Sequence, residues 1–338
     1  MKEHYNVVKT NYFKKMFIKI CRLLGYEIID QSKYEVPTLN KNLNETLSIP
    51  GKESITIPLG QTKITRKIKS LKIILRSCTN KLIMDQNKKR LFEKDKNEYT
   101  FRSLNSLLES ISLAKKTFDQ IDFEIIVTDT NSKKTDLDKI KNILSKYEIK
   151  NQLIEIVLED FKDKIIGNYS SAKFANMANL YTSLILAKNE SKDLIYFVED
   201  DYIHTKSAIL EMLFVYEKFS SILKNEIFLV PADYPYLYTK STNTKIFFGH
   251  QKHWRLINES LVTFMTSKEV VLDNFEKLLT MAKKWEDPWE KPLHEIYKKV
   301  PCFSPIPSLS MHCTNINSVY GLPPNFNWKE IWEENENY

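Results

Sequence analysis

The stretch LIYFVEDDYI, residues 194–203, places three consecutive acids at the end of a run of apolar and aromatic residues. Such a short run, dense in Ile, Val and Phe, is typical of a buried strand. Adjacent carboxylates repel one another, and burial adds to the cost of each charge. A strand that ends in Glu199, Asp200 and Asp201 therefore predicts a cation nearby, and carboxylate ligands favour Mg²⁺ or Mn²⁺. The alternative is a solvated turn before the next helix.

Segments of similar composition recur along the chain between stretches with helical spacing of apolar residues. The other predicted strands are 72–77, 123–129, 152–158 and 226–231. Predicted helices cover about 104–118, 136–147, 173–189, 206–220 and 267–284, the last opening with the capping-box spacing of Thr266 and Glu269. Alternating strands and helices predict an α/β fold with a mostly parallel sheet flanked by helices.

Polar residues end three of the predicted strands. Arg76 and Ser77 end the first, Asp129 ends the second, and the acidic triplet ends the fourth. In sheets of this kind, ligands bind beyond the carboxyl ends of the strands. We therefore expect these side chains to share one rim, with Glu199 and Asp201 on one side of the extended chain and Asp200 on the other.

Two of these segments resemble signatures of family 2 glycosyltransferases of the GT-A fold. FEIIVTDTNS, residues 123–132, resembles the second-strand signature, and YFVEDDY, residues 196–202, resembles the D-x-D element in the Glu-Asp-Asp form of N-acetylglucosaminyltransferase I. The resemblance implies that Asp129 contacts the nucleotide base and that Asp201 ligates the metal. Glu199 and Asp200 would then take the ribose and supporting positions.

The resemblance extends to other residues with weaker sequence matches. Arg76 and Ser77 fall where the first strand meets the nucleotide, although RSCTN departs from the usual PTYN. The late segment SPIPSLSMHCTN offers His312 as a second contact to metal or pyrophosphate. These positions imply a GT-A-like enzyme that uses Mn²⁺ or Mg²⁺ and a nucleoside-diphosphate sugar, a UDP-sugar first, with a glycan or glycolipid as acceptor.

An inverting enzyme of this class also needs a carboxylate that removes a proton from the acceptor hydroxyl. The segment KKWEDPWEKPLHEIY, residues 283–297, resembles the acidic, Trp-rich segment that supplies it. Asp287 is the first candidate, with Glu286 and Glu290 as rivals. Asp287 precedes Pro288, which suits the first position of a helix, so Asp287 is expected to cap that helix near the crevice. The alternatives are an ordinary acidic helix start and a retaining enzyme, which needs no base.

The predicted organisation has three parts: residues 1–70 as a basic amphipathic helix and extended arm, 71–204 as the nucleotide-sugar-binding half, and 205–338 as the acceptor-binding half with a C-terminal segment. Residues 9–24 combine helically spaced apolar side chains with five basic residues and no acid. Such a helix binds an anionic membrane surface or packs on the body of the protein, and the sequence leaves both open.

The amino-acid composition excludes several classes of protein. Six glycines form neither a Rossmann nor a Walker phosphate loop. Four cysteines match no zinc or disulfide pattern, and neither a signal peptide nor an 18-residue apolar span is present, so the expected location is the cytoplasm or the inner face of the plasma membrane. The formal charge of +7 permits a basic protein that binds membrane or nucleic acid without catalysis. The strand-end acids disfavour nucleic acid, because they repel phosphates.

The sequence is also compatible with three other classes of enzyme: a nucleotidyltransferase, a nuclease and a hydrolase. A sugar-phosphate nucleotidyltransferase shares the α/β layout and metal dependence, but the first strand lacks its glycine-rich loop. A metal-dependent nuclease or hydrolase would also use the acids. The preferred function is a glycosyltransferase of bacterial surface-polysaccharide or glycolipid assembly.

Overall fold

The computed structural model describes residues 12–26, 63–80, 91–239, 244–314, 316 and 318–338. Two compact units divide the chain, one ending at Lys63 and the other running from Ile64 to Tyr338. The described part of the first unit is residue 63 and residues 12–26, which contain the helix α1, Tyr12–Leu23. The remainder of the predicted arm lies outside the described residues, apart from residues 63–70.

The second unit alternates strands and helices. Its strands are β1 Ser70–Ser77, β2 Asp122–Asp129, β3 Lys150–Glu155, β4 Leu194–Glu199, β5 Tyr202–His204, β6 Phe228–Leu229, β7 Ile246–Phe248, β8 His253–Ile257, β9 Phe264–Ser267, β10 Cys302–Ile306 and β11 Ser310–His312. Its helices are α2 Lys96–Thr117, α3 Lys134–Ser145, α4 Ser171–Glu190, α5 Ala208–Leu223, α6 Lys268–Asp273, α7 Phe275–Lys283, α8 Lys291–Tyr297 and α9 Trp328–Glu334.

A nine-stranded sheet, counted over the described residues, forms the centre of this unit in the order β3-β2-β1-β4-β9-β6-β10-β8-β7. Parallel pairing joins β3, β2, β1 and β4, and it also joins β6 to β10. Since β9 is antiparallel to both β4 and β6, the carboxyl ends of β1, β2, β4, β6 and β10 all open on one edge. This mixed α/β architecture confirms the predicted fold class.

Apolar side chains bury both faces of the central strands, as parallel sheets require. Every residue of β1 is buried, and β4 is buried up to its last residue. Two large apolar clusters cover the two faces. One contains Leu104, Leu107 and Leu108 of α2, and the other contains Leu180 and Leu184 of α4. Burial of β4 on both sides explains why its only charged residue, Glu199, lies at its carboxyl end.

Two local expectations were wrong. The single helix expected over 267–284 is two helices, α6 and α7, separated at Asn274. The N-cap of α6 is Ser267, whose hydroxyl accepts the Val270 N–H at 3.3 Å, so Thr266 does not cap it. Thr266 instead belongs to β9 and donates to the Ile227 carbonyl. Among the described helices, none has both the length and the apolar character needed to cross a bilayer.

Candidate functional site

The sheet edge described above gathers the polar strand ends into one cluster. Ser77 pairs with Asp129 in register across β1 and β2, and Arg76 pairs with Glu199 across β1 and β4. A small second sheet pairs β5 with β11 and brings His312 opposite Tyr202. The parallel register therefore aligns three strand ends, and the β5–β11 pair adds His312 from the far end of the chain.

Asp201 and His312 form a directed pair at this edge. The Tyr320 carbonyl lies 2.9 Å from His312 Nδ1, and Asp201 Oδ2 lies 3.2 Å from Nε2. A carbonyl can only accept, so Nδ1 carries a proton and donates it. Nε2 then either carries a second proton or directs a lone pair at a carboxylate oxygen. The second arrangement is stable only with a cation shared between the two atoms.

The charges of Asp201 and His312 stabilise each other. Burial alone would raise the pKa of Asp201, but the neighbouring His312 outweighs burial and holds that pKa below its usual range. Burial lowers the pKa of His312, and Asp201 more than reverses the effect, so the His312 pKa is raised. The ring of Tyr202 stacks on His312 with centroids 4.9 Å apart and fixes its orientation.

The pair fits a divalent ion of the Mg²⁺ or Mn²⁺ type. Such an ion has ligands at about 2.0–2.1 Å, which places neighbouring octahedral ligands about 3 Å apart. The 3.2 Å between Nε2 and Oδ2 is close to that spacing. A metal-binding histidine also commonly donates its other N–H to a carbonyl, as His312 does to Tyr320. Within the described residues, no three or more His, Cys, Asp and Glu side chains group to hold a metal ion.

Residues 200 and 201 form a turn, so the expected period-two alternation does not continue past Glu199, and Asp200 contacts groups that follow β1 or belong to α2. Its Oδ2 accepts the Cys78 N–H at 3.1 Å and the Thr100 hydroxyl at 2.9 Å. Lys96 Nζ lies 3.3 Å from the same oxygen. Asp200 therefore ties the end of β1 and the start of α2 to the acidic strand end.

Arg76 and Glu199 form the third pairing of the cluster. Arg76 Nη2 lies 3.0 Å from Glu199 Oε1, and the Arg76 side chain is 3% exposed. Nη1 donates to Asn176 Oδ1 at 3.1 Å, whereas Nε and Nη2 have no aligned hydrogen-bond partner among the described residues. Burial raises the pKa of Glu199, and Arg76 opposes this rise. The guanidinium is therefore charge-paired with Glu199, and two of its buried nitrogen atoms have no aligned hydrogen-bond acceptor among the described residues.

Asp129 is held by hydroxyl and backbone donors. Ser77 Oγ and Ser132 Oγ both donate to its Oδ2 at 2.6 Å, and the Ser132 N–H donates to Oδ1 at 2.9 Å. Burial nevertheless raises the pKa of Asp129. Its side chain thus locks the loop after β2 to the end of β1.

One premise of the sequence interpretation was wrong. The acidic triplet is not left without protein cations, because Arg76 pairs with Glu199, Lys96 with Asp200 and His312 with Asp201. Repulsion among the acids therefore does not by itself require a metal ion. The feature that suits a metal ion is the convergence of His312 Nε2 and Asp201 Oδ2 at 3.2 Å.

The three proposed catalytic carboxylates differ in their surroundings. Asp287 is exposed and accepts from Trp285 Nε1 at 3.1 Å. Glu286 is exposed and pairs with Lys284 at 2.8 Å, which lowers its pKa. Glu290 is half-buried and close enough to Tyr320 to contribute to the raised pKa of that tyrosine, after burial and Glu259.

The expected capping of a helix by Asp287 was wrong. The helix α8 begins at Lys291 with Glu290 as its N-cap residue, and Pro292 occupies its first turn. Trp289 is buried, and its Nε1 donates to the Met281 carbonyl, so residues 288–290 form a turn packed under α7. The second proline of the segment, and not Pro288, marks the helix start.

Several residues of the cluster were not predicted. Lys96 and Thr100 come from α2, Asn176 from α4, and Thr263 Oγ1 lies 3.1 Å from the Glu199 N–H. The hydroxyl of Tyr234 lies 2.8 Å from the hydroxyl of Tyr202, the residue whose ring stacks on His312. Each sits within a helix or loop of ordinary composition, so only the three-dimensional arrangement identifies it.

No protein-family model matches the sequence, and no curated protein matches it. Some solved structures are partly similar. TarS 1-349 of S. aureus aligns at 14% identity over 61% of this chain and 49% of that chain, with a TM-score of 0.35. The galactosyltransferase LgtC with donor and acceptor sugar analogs aligns at 11% identity over 68% and 66%, with a TM-score of 0.30. UDP-glucose pyrophosphorylase complexed with UDP-glucose aligns at 10% identity over 79% and 97%, with a TM-score of 0.38. The chain thus spans about half the length of TarS 1-349.

Proposed function

We propose that this protein is a metal-dependent glycosyltransferase that moves a sugar from a nucleoside-diphosphate sugar, a UDP-sugar first, to a glycan or glycolipid acceptor. The observation that carries the proposal is the chain from the Tyr320 carbonyl through His312 to Asp201. It lies on the same rim as Arg76, which is paired with Glu199 and has two nitrogen atoms without an aligned hydrogen-bond partner among the described residues. Two converging ligands and a neighbouring guanidinium, which is paired with Glu199, suit a diphosphate bound with a divalent ion.

Asp201 and His312 would hold Mg²⁺ or Mn²⁺, with water and substrate phosphates as the other ligands. When bound, that ion would stabilise the negative charge that develops on the departing diphosphate. Arg76 would donate its N–H groups to the nucleotide or its phosphates. Ser77 and Asp129, locked together at 2.6 Å, would support the base side of the pocket, with Glu199 and Asp200 beside them.

An inverting reaction would require a carboxylate to accept the proton of the acceptor hydroxyl. We place Glu290 ahead of Asp287 and Glu286 in this role. Glu290 is half-buried and contributes to the raised pKa of the Tyr320 phenol, whereas Asp287 and Glu286 are exposed. Replacing Glu290 with Gln should lower turnover about a hundredfold or more, which is the low end of the usual effect of a general base, and leave donor affinity unchanged. Equal turnover in both proteins would rule out Glu290.

Thermal-shift measurements with UDP-, GDP- and CMP-sugars, with and without Mn²⁺, test the donor class. We expect one nucleotide family to raise the melting temperature, and Mn²⁺ to increase the rise. The Asp201→Asn variant should lose the metal-dependent part, and Asp138→Asn, an exposed acid on α3, should retain it. No stabilisation by any nucleotide in either metal condition would contradict the proposal. Stabilisation by UTP and a sugar 1-phosphate alone would favour a nucleotidyltransferase.

We also propose that α1 attaches the protein to an anionic membrane surface, consistent with a role in bacterial surface-polysaccharide assembly. Large apolar side chains along this helix are exposed: Tyr12, Phe13, Met16, Phe17, Ile20 and Leu23. The sequence from residue 9 to residue 24 contains basic residues and no acid. Apolar insertion and electrostatic attraction to anionic lipid together favour such binding.

Vesicle co-sedimentation tests this attachment. The full chain should pellet with phosphatidylglycerol vesicles and much less with phosphatidylcholine vesicles, and added salt should weaken the binding. Replacing Phe13 and Phe17 with Ser should abolish pelleting. Phe248→Ser, an exposed phenylalanine in β7, is the matched control and should leave it unchanged. Equal pelleting of the double variant would refute the attachment.

A further inference from the structure

A buried asparagine of α4 contacts the ends of two strands of the sheet. The buried side chains of α4, every residue of which the structure describes, are apolar apart from Asn179 and Ser183. The Ser183 hydroxyl donates to the Asn179 carbonyl at 2.8 Å and so stays within the helix. A buried amide is costly unless it is hydrogen-bonded. The Asn179 side chain meets this requirement with three hydrogen bonds to β1 and β2.

The Asn179 amide joins the carboxyl ends of β1 and β2. Its Nδ2 donates to the Thr128 carbonyl at 2.9 Å and to the Ser77 carbonyl at 3.2 Å. Its Oδ1 accepts the Thr128 hydroxyl at 2.6 Å. The orientation of the amide follows from this chemistry, because a carbonyl can only accept. All three residues are buried, so the hydrogen bonds are shielded from water.

These hydrogen bonds close a ring that includes the Ser77–Asp129 pair. Ser77 is held at its carbonyl by Asn179 and donates its hydroxyl to Asp129 Oδ2 at 2.6 Å. Thr128 directly precedes Asp129 in the chain. A shift of either strand end would therefore lengthen a hydrogen bond of the ring. The Ser77 carbonyl also accepts the Thr130 N–H at 3.1 Å, so it would have a donor without Asn179.

Asn179 approaches the two strands from the face opposite the Ser77 and Asp129 side chains. Arg76 is in register with Thr128, and Ser77 is in register with Asp129. Because successive side chains of a strand point to opposite faces, Thr128 lies on the α4 face, whereas Ser77 and Asp129 lie on the α2 face. Asn179 is 3% exposed, so a ligand at the rim does not contact it directly. It acts on a ligand through the residues that it holds.

We propose that Asn179 is a positioning residue for the base of the donor nucleotide. In the proposed function, Ser77 and Asp129 support the base side of the pocket. The metal ion and the phosphates bind elsewhere on the rim, at Asp201 and His312. Groups that are fixed before binding lose little conformational entropy when the ligand binds, and Asn179 fixes the base side. This inference rests on the proposed function and adds the residue that shapes the base end of its site.

Isothermal titration calorimetry of the full chain with Mg²⁺ present tests the inference. The probes are UDP, GDP and inorganic pyrophosphate, which carries a diphosphate without a base. Asn179→Leu, a change of similar volume, should bind the nucleotide that the wild type prefers about tenfold more weakly, which is the equivalent of about one hydrogen bond. Its affinity for pyrophosphate should equal that of the wild type. A general loosening of the fold would weaken both.

A second variant and a matched control accompany Asn179→Leu. Thr128→Val removes the hydroxyl that donates to Asn179 Oδ1 and tests the same ring if Asn179→Leu does not fold. It should bind the nucleotide about threefold more weakly and pyrophosphate equally well. The control is Asn105→Leu, since Asn105 is a buried asparagine of α2 that bonds to Asn335 and Tyr147. This control should lose stability and keep both affinities.

The outcomes separate this inference from the proposed function. Unchanged nucleotide affinity in Asn179→Leu and Thr128→Val would overturn the inference. Equal weakening of nucleotide and pyrophosphate binding, or the same weakening in Asn105→Leu, would also overturn it, because each would indicate a general structural role. A wild type that binds neither UDP nor GDP would instead refute the proposed function, and with it the inference that rests on it.

Discussion

Replacement of Arg76 with Met should destabilise the protein through Glu199. The Arg76 side chain is 3% exposed, and its Nη2 lies 3.0 Å from Glu199 Oε1. Removing one member of a fully buried pair typically costs about 3–5 kcal/mol, because the other charge stays buried without compensation. Glu199 keeps 25% of its side-chain surface exposed, so solvent offsets part of this cost. We expect a loss of about 2–3 kcal/mol in the free energy of unfolding.

A double-mutant cycle isolates the interaction. Glu199→Gln alone should also cost about 2–3 kcal/mol, since it leaves the Arg76 guanidinium buried without its anion. The combination of Arg76→Met and Glu199→Gln should cost only about 1–2 kcal/mol, well below the sum of the single losses. Urea unfolding at pH 7, followed by circular dichroism and fluorescence, measures all four proteins. Additive losses, or an Arg76→Met loss below about 1 kcal/mol, would refute the pairing.

The remaining predictions concern buried groups away from the proposed metal-binding pair. Glu211 accepts the N–H groups of His250, Gln251 and Lys252 and the Trp254 indole N–H, at 2.8–3.3 Å. Glu211→Gln should lower the free energy of unfolding by about 2–4 kcal/mol, because hydrogen bonds to a charged acceptor contribute about 1.5–3 kcal/mol each and are only partly replaced. Lys218→Met, which removes a cation beside the same turn, serves as the comparison, and an equal loss in both would contradict the role of Glu211. Burial lowers the pKa of His204 to about 3, so the native state stays neutral while the unfolded state binds a proton below about 6.5. Stability should therefore fall by about 1.4 kcal/mol from pH 7.5 to pH 5.5 through this group, and His204→Gln should lack that part of the pH dependence.

The sequence pattern predicted the α/β fold and the shared rim because both depend on local signals. The composition of runs such as residues 123–129 indicates strands. Once two such strands pair in parallel, their register places Ser77 beside Asp129. The same alignment brings Arg76 beside Glu199. When parallel strands are buried on both faces, the sequence therefore predicts which polar side chains lie together at their carboxyl ends.

The cations that compensate the acids could not be predicted in this way. Lys96 reaches Asp200 from a helix more than a hundred residues earlier, and a lysine in a helix first turn gives no sign of such a partner. The Asp287 cap was misplaced because the segment contains two prolines and both suit a helix start. Burial of Trp289 beneath α7 decides between them, and burial of that kind depends on tertiary packing.

The central claim is that Asp201 and His312 bind a divalent ion together with a nucleoside diphosphate. Electron paramagnetic resonance of Mn²⁺, titrated with protein in the presence of UDP, measures this directly, because bound Mn²⁺ loses its free-ion signal. The wild type should bind about one Mn²⁺ per chain, and Asp201→Asn should weaken that binding more than about tenfold, as loss of a ligand implies. Equal Mn²⁺ binding by the wild type and Asp201→Asn, or none by either, would contradict the claim.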